Sequence, residues 1–296
     1  MDSRKPRARI EATPALPHPY TGLTAGFATK HDKTELVVPH FGALLDVSVV
    51  PVDFDTDTFG TFSGEVAREG SALDTALRKA RVGAESSVDS LGIGSEGTIG
   101  PSHQLPLLTA NAEIVAFVDL RRGISVTEHT ISHSIRTIAM TVQPHGNYHA
   151  ALAAGGFPDH GVIVKPADGE LTPMFKGLHS FADVDSAVRV CSIASADGKA
   201  RIESDFRANH CPSRRPAIAE AGHRLALRLR ACCPTCSAPG WGVVTYERGV
   251  PCSLCGEIVD LPPREILGCT ACGEQRPAVR PIRTSIDPSR CPLCNP

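Results

Sequence analysis

Short apolar runs alternate with longer amphipathic stretches between Leu23 and Arg230, which is the pattern of a mixed α/β domain. The apolar runs predict strands over residues 24–29, 44–52, 113–118 and 124–129, the last two joined as a β-hairpin. Amphipathic spacing predicts helices over residues 71–86 and 216–230, and a further helical segment that opens near residue 30. No apolar run approaches the roughly 20 residues of a membrane span, so we expect a cytoplasmic protein without a membrane partner.

The same pattern divides the 296 residues into three parts. Residues 1–22, with four basic side chains and four prolines in a stretch without apolar periodicity, predict a disordered leader. Residues 23–231 predict an α/β domain that binds a nucleotide or phosphate. Residues 232–296 hold most of the cysteines and predict a double zinc-ribbon domain. This last part balances six Arg against six acidic residues, which argues against a strongly basic nucleic-acid clamp.

Eight of the eleven cysteines form four Cys-x-x-Cys pairs near the end of the chain. Each pair directs two thiolates at one point and a tetrahedral Zn²⁺ requires four, so the pairs predict two closed, structural zinc sites. Disulfides are disfavoured because no signal-peptide pattern is present, and iron–sulfur ligation normally shows tighter cysteine runs. No His follows His223, which argues against a catalytic zinc. The predicted ligands are Cys233, Cys236, Cys252, Cys255, Cys269, Cys272, Cys291 and Cys294.

The spacing of the four pairs favours sequential pairing, the first pair with the second and the third with the fourth. The intervening loops then have 15 and 18 residues, both ordinary for zinc ribbons. A nested arrangement that joins the two middle pairs stays open. A cross-brace would normally have the second and third pairs closer together.

A candidate phosphate site follows the first predicted strand. This strand ends at Thr29, and Lys30 and Lys33 lie where the next helical segment opens. Free backbone N–H groups at a helix start and a lysine ammonium both favour a bound phosphate. A solvated lysine is the plainer interpretation of the same pattern.

The predicted helix over 71–86 begins with a capping box formed by Ser71 and Asp74, and it carries Lys79. Asp74 is then a metal ligand or only a cap, and Lys79 a phosphate ligand or only a surface charge. Both interpretations remain open on the helix alone.

The segment 91–101 predicts a short strand that leads into a glycine-rich loop. Glu96 lies in this loop, between Ser95 and Gly97. Glycines beside a carboxylate let a ligand approach closely, and such a carboxylate suits Mg²⁺ held jointly with substrate phosphates. An exposed turn is the alternative.

Other polar residues are weaker candidates. The loop 53–65 is rich in acids, and Asp57 or Glu65 could assist a metal ion; an ordinary solvated loop is the alternative. Polar groups at the ends of later predicted strands often line α/β clefts. These secondary candidates are His160, Asp205, Arg207 and Asn209.

The order of these motifs resembles the inosine triphosphate pyrophosphatase-like superfamily over residues 24–130. In the first loop of that family, T/S-N-x-x-K, Thr29 and Lys33 match, and Lys30 stands where Asn is expected. In its helix motif, E-N-A-x-x-K-A, the residues in register are Asp74, Thr75, Ala76, Lys79 and Ala80.

Two further motifs extend the resemblance. Glu96-Gly97 matches the loop that carries the family's metal-binding acid. Ser213-Arg214-Arg215 faintly resembles its base-binding S-H-R element, with Arg in place of His, and the loss of this His and of the Asn puts recognition of a purine base in doubt.

The resemblance implies a mixed-sheet inosine triphosphate pyrophosphatase-like core that hydrolyses a nucleoside triphosphate or related phosphoanhydride with Mg²⁺. Asp74 and Glu96 would hold the metal and orient water, and Lys33 and Lys79 would neutralise phosphate charge. The implied substrate-binding residues are Thr29, Lys30, Ser95, Gly97 and Arg215.

Over its whole length the chain is similar to an uncharacterised bacterial family, domain of unknown function 6671. The shared signatures are T-K-H-x-K, D-T-D-x-x-G-T-F, S-E-G-x-x-G-P and the terminal C-x-x-C-N-P. The competing hypothesis is a non-enzymatic protein whose zinc ribbons dock a protein or nucleic-acid partner. Its candidate basic patch consists of Arg276, Arg280, Arg283 and Arg290.

Overall fold

The computed structural model describes residues 17–30, 32–61, 64–102 and 106–296. The α-helices of these residues are α1 (Thr34–Leu45), α2 (Ala72–Ser86), α3 (His149–Ala154), α4 (Phe181–Ala194) and α5 (Arg215–Arg230). The strands are β1 (Thr24–Ala28), β2 (Ser48–Pro51), β3 (Leu91–Pro101), β4 (Thr109–Asp119), β5 (Ile124–Ser132), β6 (Ala139–Val142), β7 (Val162–Pro166), β8 (Phe175–Leu178), β9 (Ala200–Ser204), β10 (Gly242–Tyr246), β11 (Val250–Pro251), β12 (Ile258–Val259), β13 (Glu265–Gly268) and β14 (Gln275–Pro277). Within this part of the chain, no helix is both long and apolar enough to cross a bilayer.

The first lobe is a five-stranded mixed sheet in the order β2-β1-β3-β4-β5, with helices on both faces. β1 runs parallel to β2 and β3, whereas β3, β4 and β5 are antiparallel neighbours. Helices α1 and α5 pack on one face, where the largest apolar core includes Phe41, Phe117 and Leu225. Helix α2 covers the opposite face.

Glycines bring α2 unusually close to β3. A Cβ added at Gly94 would lie 2.3 Å from the carbonyl oxygen of Ala76, and one at Gly92 would lie 2.0 Å from that of Ala80. Since side chains alternate across a strand, these glycines and Glu96 share the face that carries α2. The prediction of a glycine-rich loop around Glu96 is therefore wrong: the glycines lie inside an eleven-residue strand and allow backbone-to-backbone packing.

The second lobe is a four-stranded antiparallel sheet in the order β6-β9-β7-β8. Helix α4 packs on it through an apolar face that includes Val184, Val188 and the buried thiol of Cys191. The chain enters this lobe after β5 and leaves it after β9, and then returns to the first lobe as α5. The region predicted as one α/β domain thus contains two sheets, each with its own apolar core.

Two local predictions need correction. The strand predicted over 44–52 is shorter, because Leu45 ends α1 inside the core and Asp46 closes the helix with a left-handed backbone (φ 54°). Of the predicted disordered leader, residues 1–16 lie outside the described residues, and residues 17–22 are described, with only Tyr20 buried. Tyr20 is buried there and donates a hydrogen bond to Asp119 at 3.1 Å.

The cysteine-rich module, residues 232–296, follows directly on α5 and is docked against the first lobe. Arg228 of α5 donates to Glu128 of β5 at 3.0 Å and to the carbonyl oxygen of Gly240 at 3.3 Å. Ala238 packs on the main core of the first lobe. These contacts tie the module to the α/β fold.

Candidate functional site

A cleft lies where β1 ends and β3 continues. β1 pairs with β3 only as far as Ala28, which lies opposite Gly94, so Ser95 and Glu96 of β3 lie beyond that pairing. Side chains of both lobes enclose a cavity of about 100 Å³ there. The position outside the carboxyl end of a parallel strand is where α/β proteins commonly bind ligands. The predicted residues that line the cleft are Thr29, Lys30, Lys33, Lys79, Ser95 and Glu96.

Lys33 is a buried cation without a carboxylate partner among the described residues. It is 7 % exposed, and its ammonium donates to the hydroxyl of Ser95 at 3.3 Å. Burial, together with the positive charge of Arg214, lowers the pKa of Lys33 to about 8. An ammonium removed from water is unfavourable unless an anion compensates it, so this position favours an anionic ligand.

Glu96 lies between two cations. Its two carboxylate oxygens accept hydrogen bonds from Lys79 at 2.6 Å and from Arg68 at 2.8 Å. Burial alone would raise the pKa of Glu96, but the charges of Lys79 and Lys33 outweigh it, and the pKa lies below the ordinary value. Glu96 is therefore ionised at neutral pH.

The second lobe supplies two more cations to the cleft, Lys176 of β8 and Arg207. The guanidinium of Arg207 is held by the buried carboxylate of Asp205 at 2.5 to 3.1 Å. Of the secondary candidates, Asp205 and Arg207 line the cleft, whereas His160 and Asn209 do not.

Three acidic side chains, Asp55, Asp57 and Glu65, pair with cations that line the cleft. Lys30 donates to Asp55 at 2.5 Å and to Asp57 at 3.0 Å, and Lys176 forms an ion pair with Glu65. Asp57 and Glu65 also line the cavity. Carboxylates of the first lobe thus form ion pairs with one cation of each lobe, Lys30 of the first and Lys176 of the second.

Arg214 connects the two lobes at the floor of the cleft. It is fully buried and forms a bidentate ion pair with Glu113 of β4 at 2.7 and 2.9 Å, and it also donates to the carbonyl oxygen of Phe206. Gly97 is required beneath it, since a Cβ there would lie 2.4 Å from the guanidinium. Gly97 therefore makes room for Arg214.

Three predicted site residues are not among those that line the cleft: Gly97, which lies beneath Arg214, and Asp74 and Arg215. Asp74 is exposed and completes the capping box of α2, where its carboxylate accepts from the Ser71 hydroxyl at 2.7 Å. These hydrogen bonds hold its pKa below the ordinary value. Arg215 pairs with Glu35 at the surface, and its neighbour Arg214 reaches the cleft instead. The structure does not bring Asp74 and Glu96 together.

Sequence reasoning missed three cations around the cleft: Arg68, Lys176 and Arg214. Arg68 lies in a connecting segment without periodicity, and Lys176 belongs to a short irregular strand, so no local pattern marks either one. Arg214 was signalled by its place beside Arg215 in the S-x-R motif, but the sequence did not show which of the two arginines turns inward.

The cysteines form two groups that could each hold a metal ion. Cys233, Cys236, Cys269 and Cys272 make the first group, and Cys252, Cys255, Cys291 and Cys294 make the second, with all Sγ atoms of a group within 4.8 Å of one another. The Sγ atoms of facing turns lie 3.6 to 3.9 Å apart. Four thiolates at the usual Zn–S distance form a tetrahedron with edges of about 3.8 Å, so this donor set fits zinc.

The predicted sequential pairing is wrong. The first Cys-x-x-Cys pair joins the third and the second joins the fourth, so the two groups are interleaved along the chain. Antiparallel pairing of β10 with β13 brings the first and third pairs together. A bridge between Cys252 and Ile286 and a small core around Val250 do the same for the second group.

One family matches this chain. It is described as a domain of unknown function, DUF6671, and the match runs from residue 79 to residue 296. The matched range contains Lys79, Glu96, the second lobe and both cysteine groups. No curated protein and no solved structure matches the chain. Since the match covers most of its length, the chain belongs to the DUF6671 family.

Proposed function

We propose that the chain hydrolyses a phosphoanhydride, a nucleoside triphosphate or a related compound, in a Mg²⁺-dependent reaction. The observation that carries this proposal is Lys33, a buried ammonium without a carboxylate partner among the described residues, which faces a cleft lined by further cations. A phosphate group supplies the missing negative charge. The attraction between this phosphate group and the ammonium of Lys33 would offset the free-energy cost of burying that charge.

The cleft residues have distinct roles in this proposal. Lys33 and Lys79 neutralise phosphate oxygens, which is the main demand of phosphoryl transfer. Ionised Glu96 orients the attacking water. Thr29, Lys30 and Ser95 line the same cavity and bind the substrate.

Oxygen donors for Mg²⁺ are available in the cleft. This ion is usually held by one or two carboxylates together with substrate phosphates and water, and Glu96, Asp57 and Glu65 line one cavity with the phosphate-binding lysines. Glu96 would hold the ion, assisted by Asp57 or Glu65. When bound, Mg²⁺ would withdraw negative charge from the phosphate oxygens. Asp74, engaged in the helix cap, is not among these ligands.

The proposal extends to an inosine triphosphate pyrophosphatase-like core. Its support is the order of the motifs: β1, Thr29 and Lys33, α1, then α2 with Lys79, and β3 with Glu96. Lys33, Lys79 and Glu96, which match that family's motifs, line one cleft.

The test is release of phosphate and pyrophosphate from a panel of standard and damaged nucleotides and simple phosphoanhydrides with Mg²⁺. Glu96→Gln should lower turnover by at least about 10²-fold, because a neutral amide would hold the metal ion and the attacking water less well. Glu85→Gln is the matched control, because Glu85 lies on the exposed surface of α2 and pairs with Arg81. No release from any substrate by folded, metal-loaded protein would overturn the proposal.

We further propose that both cysteine groups hold structural zinc. All eight ligands are thiolates, which leaves no open coordination position for catalysis. Partner docking is a second candidate role for this module. Leu254 and Leu293, each inside a Cys-x-x-Cys turn of the second group, are 74 % and 66 % exposed. Replacing both by Ser should abolish capture of a protein partner and leave the zinc content at about two ions, four thiolates each.

A further inference from the structure

We infer that the substrate of the cleft is a small inorganic phosphoanhydride, of which pyrophosphate is the simplest, and not a nucleotide. This inference rests on the proposed function and narrows it to a substrate class. It follows from where the cations lie, from the size of the cavity and from the burial of its two apolar side chains.

Cations of both lobes line the cavity. Lys33 and Lys79 belong to the first lobe, whereas Lys176 and Arg207 belong to the second. A nucleoside triphosphate is charged at one end only and would leave the cations of one lobe facing an uncharged nucleoside. Pyrophosphate is charged at both ends, so each phosphoryl group meets a pair of cations.

Arg207 is oriented for such a ligand. The buried carboxylate of Asp205 accepts from its guanidinium at 2.9 and 3.1 Å through Nε, and from Nη2 at 2.5 Å. The backbone N–H of Gly177 donates to Asp205 as well, at 3.0 Å, and fixes the carboxylate in turn. An arginine fixed in this way loses less conformational entropy when it binds a phosphoryl group.

The cavity is too small for a nucleoside. Its volume is about 100 Å³, whereas pockets for organic ligands of nucleotide size typically measure roughly 300–1,000 Å³. The two apolar side chains among its described lining residues, Ile163 and Ala208, are 4 % and 0 % exposed, so neither offers a face on which a base could stack.

The acidic side chains Glu65 and Asp57 at the cleft are also consistent with this ligand. Glu65 pairs with Lys176, and Asp57 pairs with Lys30, so carboxylates hold positions at which phosphoryl oxygens would bind. A phosphoryl group carries more charge than a carboxylate and replaces it on the same cations. Pyrophosphate has two such groups and displaces both contacts.

The alternative position for a nucleoside is an open groove beside the cleft. It shares Thr29 and Lys30 with the cleft and continues along α1 past Thr34, Val38 and Pro39. Val38 supplies apolar surface there. A substitution in this groove therefore distinguishes the two substrate classes.

The experiment compares pyrophosphate with ATP and inosine triphosphate by isothermal titration calorimetry without Mg²⁺, and by phosphate release with Mg²⁺. We expect pyrophosphate to bind at least tenfold more tightly than either nucleotide. Lys176→Gln should weaken pyrophosphate binding about tenfold, as expected for one charge-assisted contact. Lys165→Gln, which removes a second-lobe lysine paired with Glu203, should leave it unchanged.

Each outcome decides one of the two proposals. Tighter binding of a nucleotide that Val38→Asp weakens would overturn the inference, while release of phosphate from that nucleotide would keep the hydrolase. Pyrophosphate binding that depends on Lys176, without turnover of any compound, would overturn the hydrolase and support the ligand class. Absence of pyrophosphate binding by the folded protein would overturn the inference.

Discussion

Lys33 carries its charge where water hardly reaches it, and this affects stability as well as binding. Burial and Arg214 lower its pKa from 10.5 to about 8. Between these two pH values the unfolded chain binds more protons than the folded one, so the contribution of Lys33 to stability rises with pH across this window. Below about pH 8 the buried charge is fully present and destabilises the fold.

We therefore expect Lys33→Met to stabilise the protein at pH 7 while it abolishes anion binding. The gain in the free energy of unfolding has an upper bound of roughly 3 kcal/mol, since each pKa unit corresponds to about 1.4 kcal/mol. Urea denaturation at pH 7 and pH 10 measures it, and the gain should shrink at pH 10. Lys165→Met serves as the control. Destabilisation at pH 7 would show that the ammonium of Lys33 is already compensated.

Anion binding should also depend on pH through Lys33. In the proposed function the protonated form of Lys33 binds phosphate, so pyrophosphate affinity should fall as the pH rises above about 8. The charged groups around Lys33 are Arg214, Glu113, Glu96 and Lys79, of which the carboxylates favour and the cations oppose its protonation. Calorimetry between pH 6.5 and 9.5 measures the effect. Lys33→Arg should remove the pH dependence, because a guanidinium does not titrate in this range. If this variant showed the same fall in affinity with pH as the wild type, Lys33 would be excluded as its source.

At the scale of elements, α2 and β3 differ in how well the local sequence pattern predicts their structure. Ser71 and Asp74 indicated the start of α2, and its capping box is confirmed, because a cap depends on residues three positions apart. The glycines of β3 indicated a loop, yet Gly92 and Gly94 serve close contact with α2. Such contact depends on a partner distant in the chain, so local pattern could not show it.

The two roles considered for Asp74, helix cap and metal ligand, predict different effects of its substitution. Asp74→Ala should lower stability by about 1 kcal/mol, the usual effect of losing a cap. Its turnover should match the wild type, because Asp74 lies outside the cleft. Thermal unfolding and phosphate release, measured beside Glu96→Gln, test this. A loss of turnover comparable to that of Glu96→Gln would restore Asp74 as a metal ligand.

At the scale of the whole molecule, distant segments meet in ways that the sequence shows only in part. Lys33, Lys79 and Glu96 belong to motifs that can be recognised in the sequence. Lys176 and Arg214 line the same cleft only because the second lobe and α5 pack beside it. Likewise, the spacing of the cysteines predicted two four-thiolate groups correctly and their pairing incorrectly. The loop lengths allow several pairings, and the strands β10 and β13 select one of them.

Interleaving would make the two proposed zinc sites depend on each other. The chain between Cys236 and Cys269 contains both Cys252 and Cys255, so loosening the second site frees the loop that closes the first. We expect Cys255→Ser to speed zinc release from the first site as well, and to lower the thermal stability of the first lobe, which Arg228 ties to the module through the carbonyl oxygen of Gly240. A chelator that changes colour on binding zinc measures the release, and Cys232→Ser, an exposed thiol outside both groups, is the control. If Cys255→Ser retained one zinc ion per chain with the release rate of the wild type, the sites would be independent, and interleaving would have no energetic consequence.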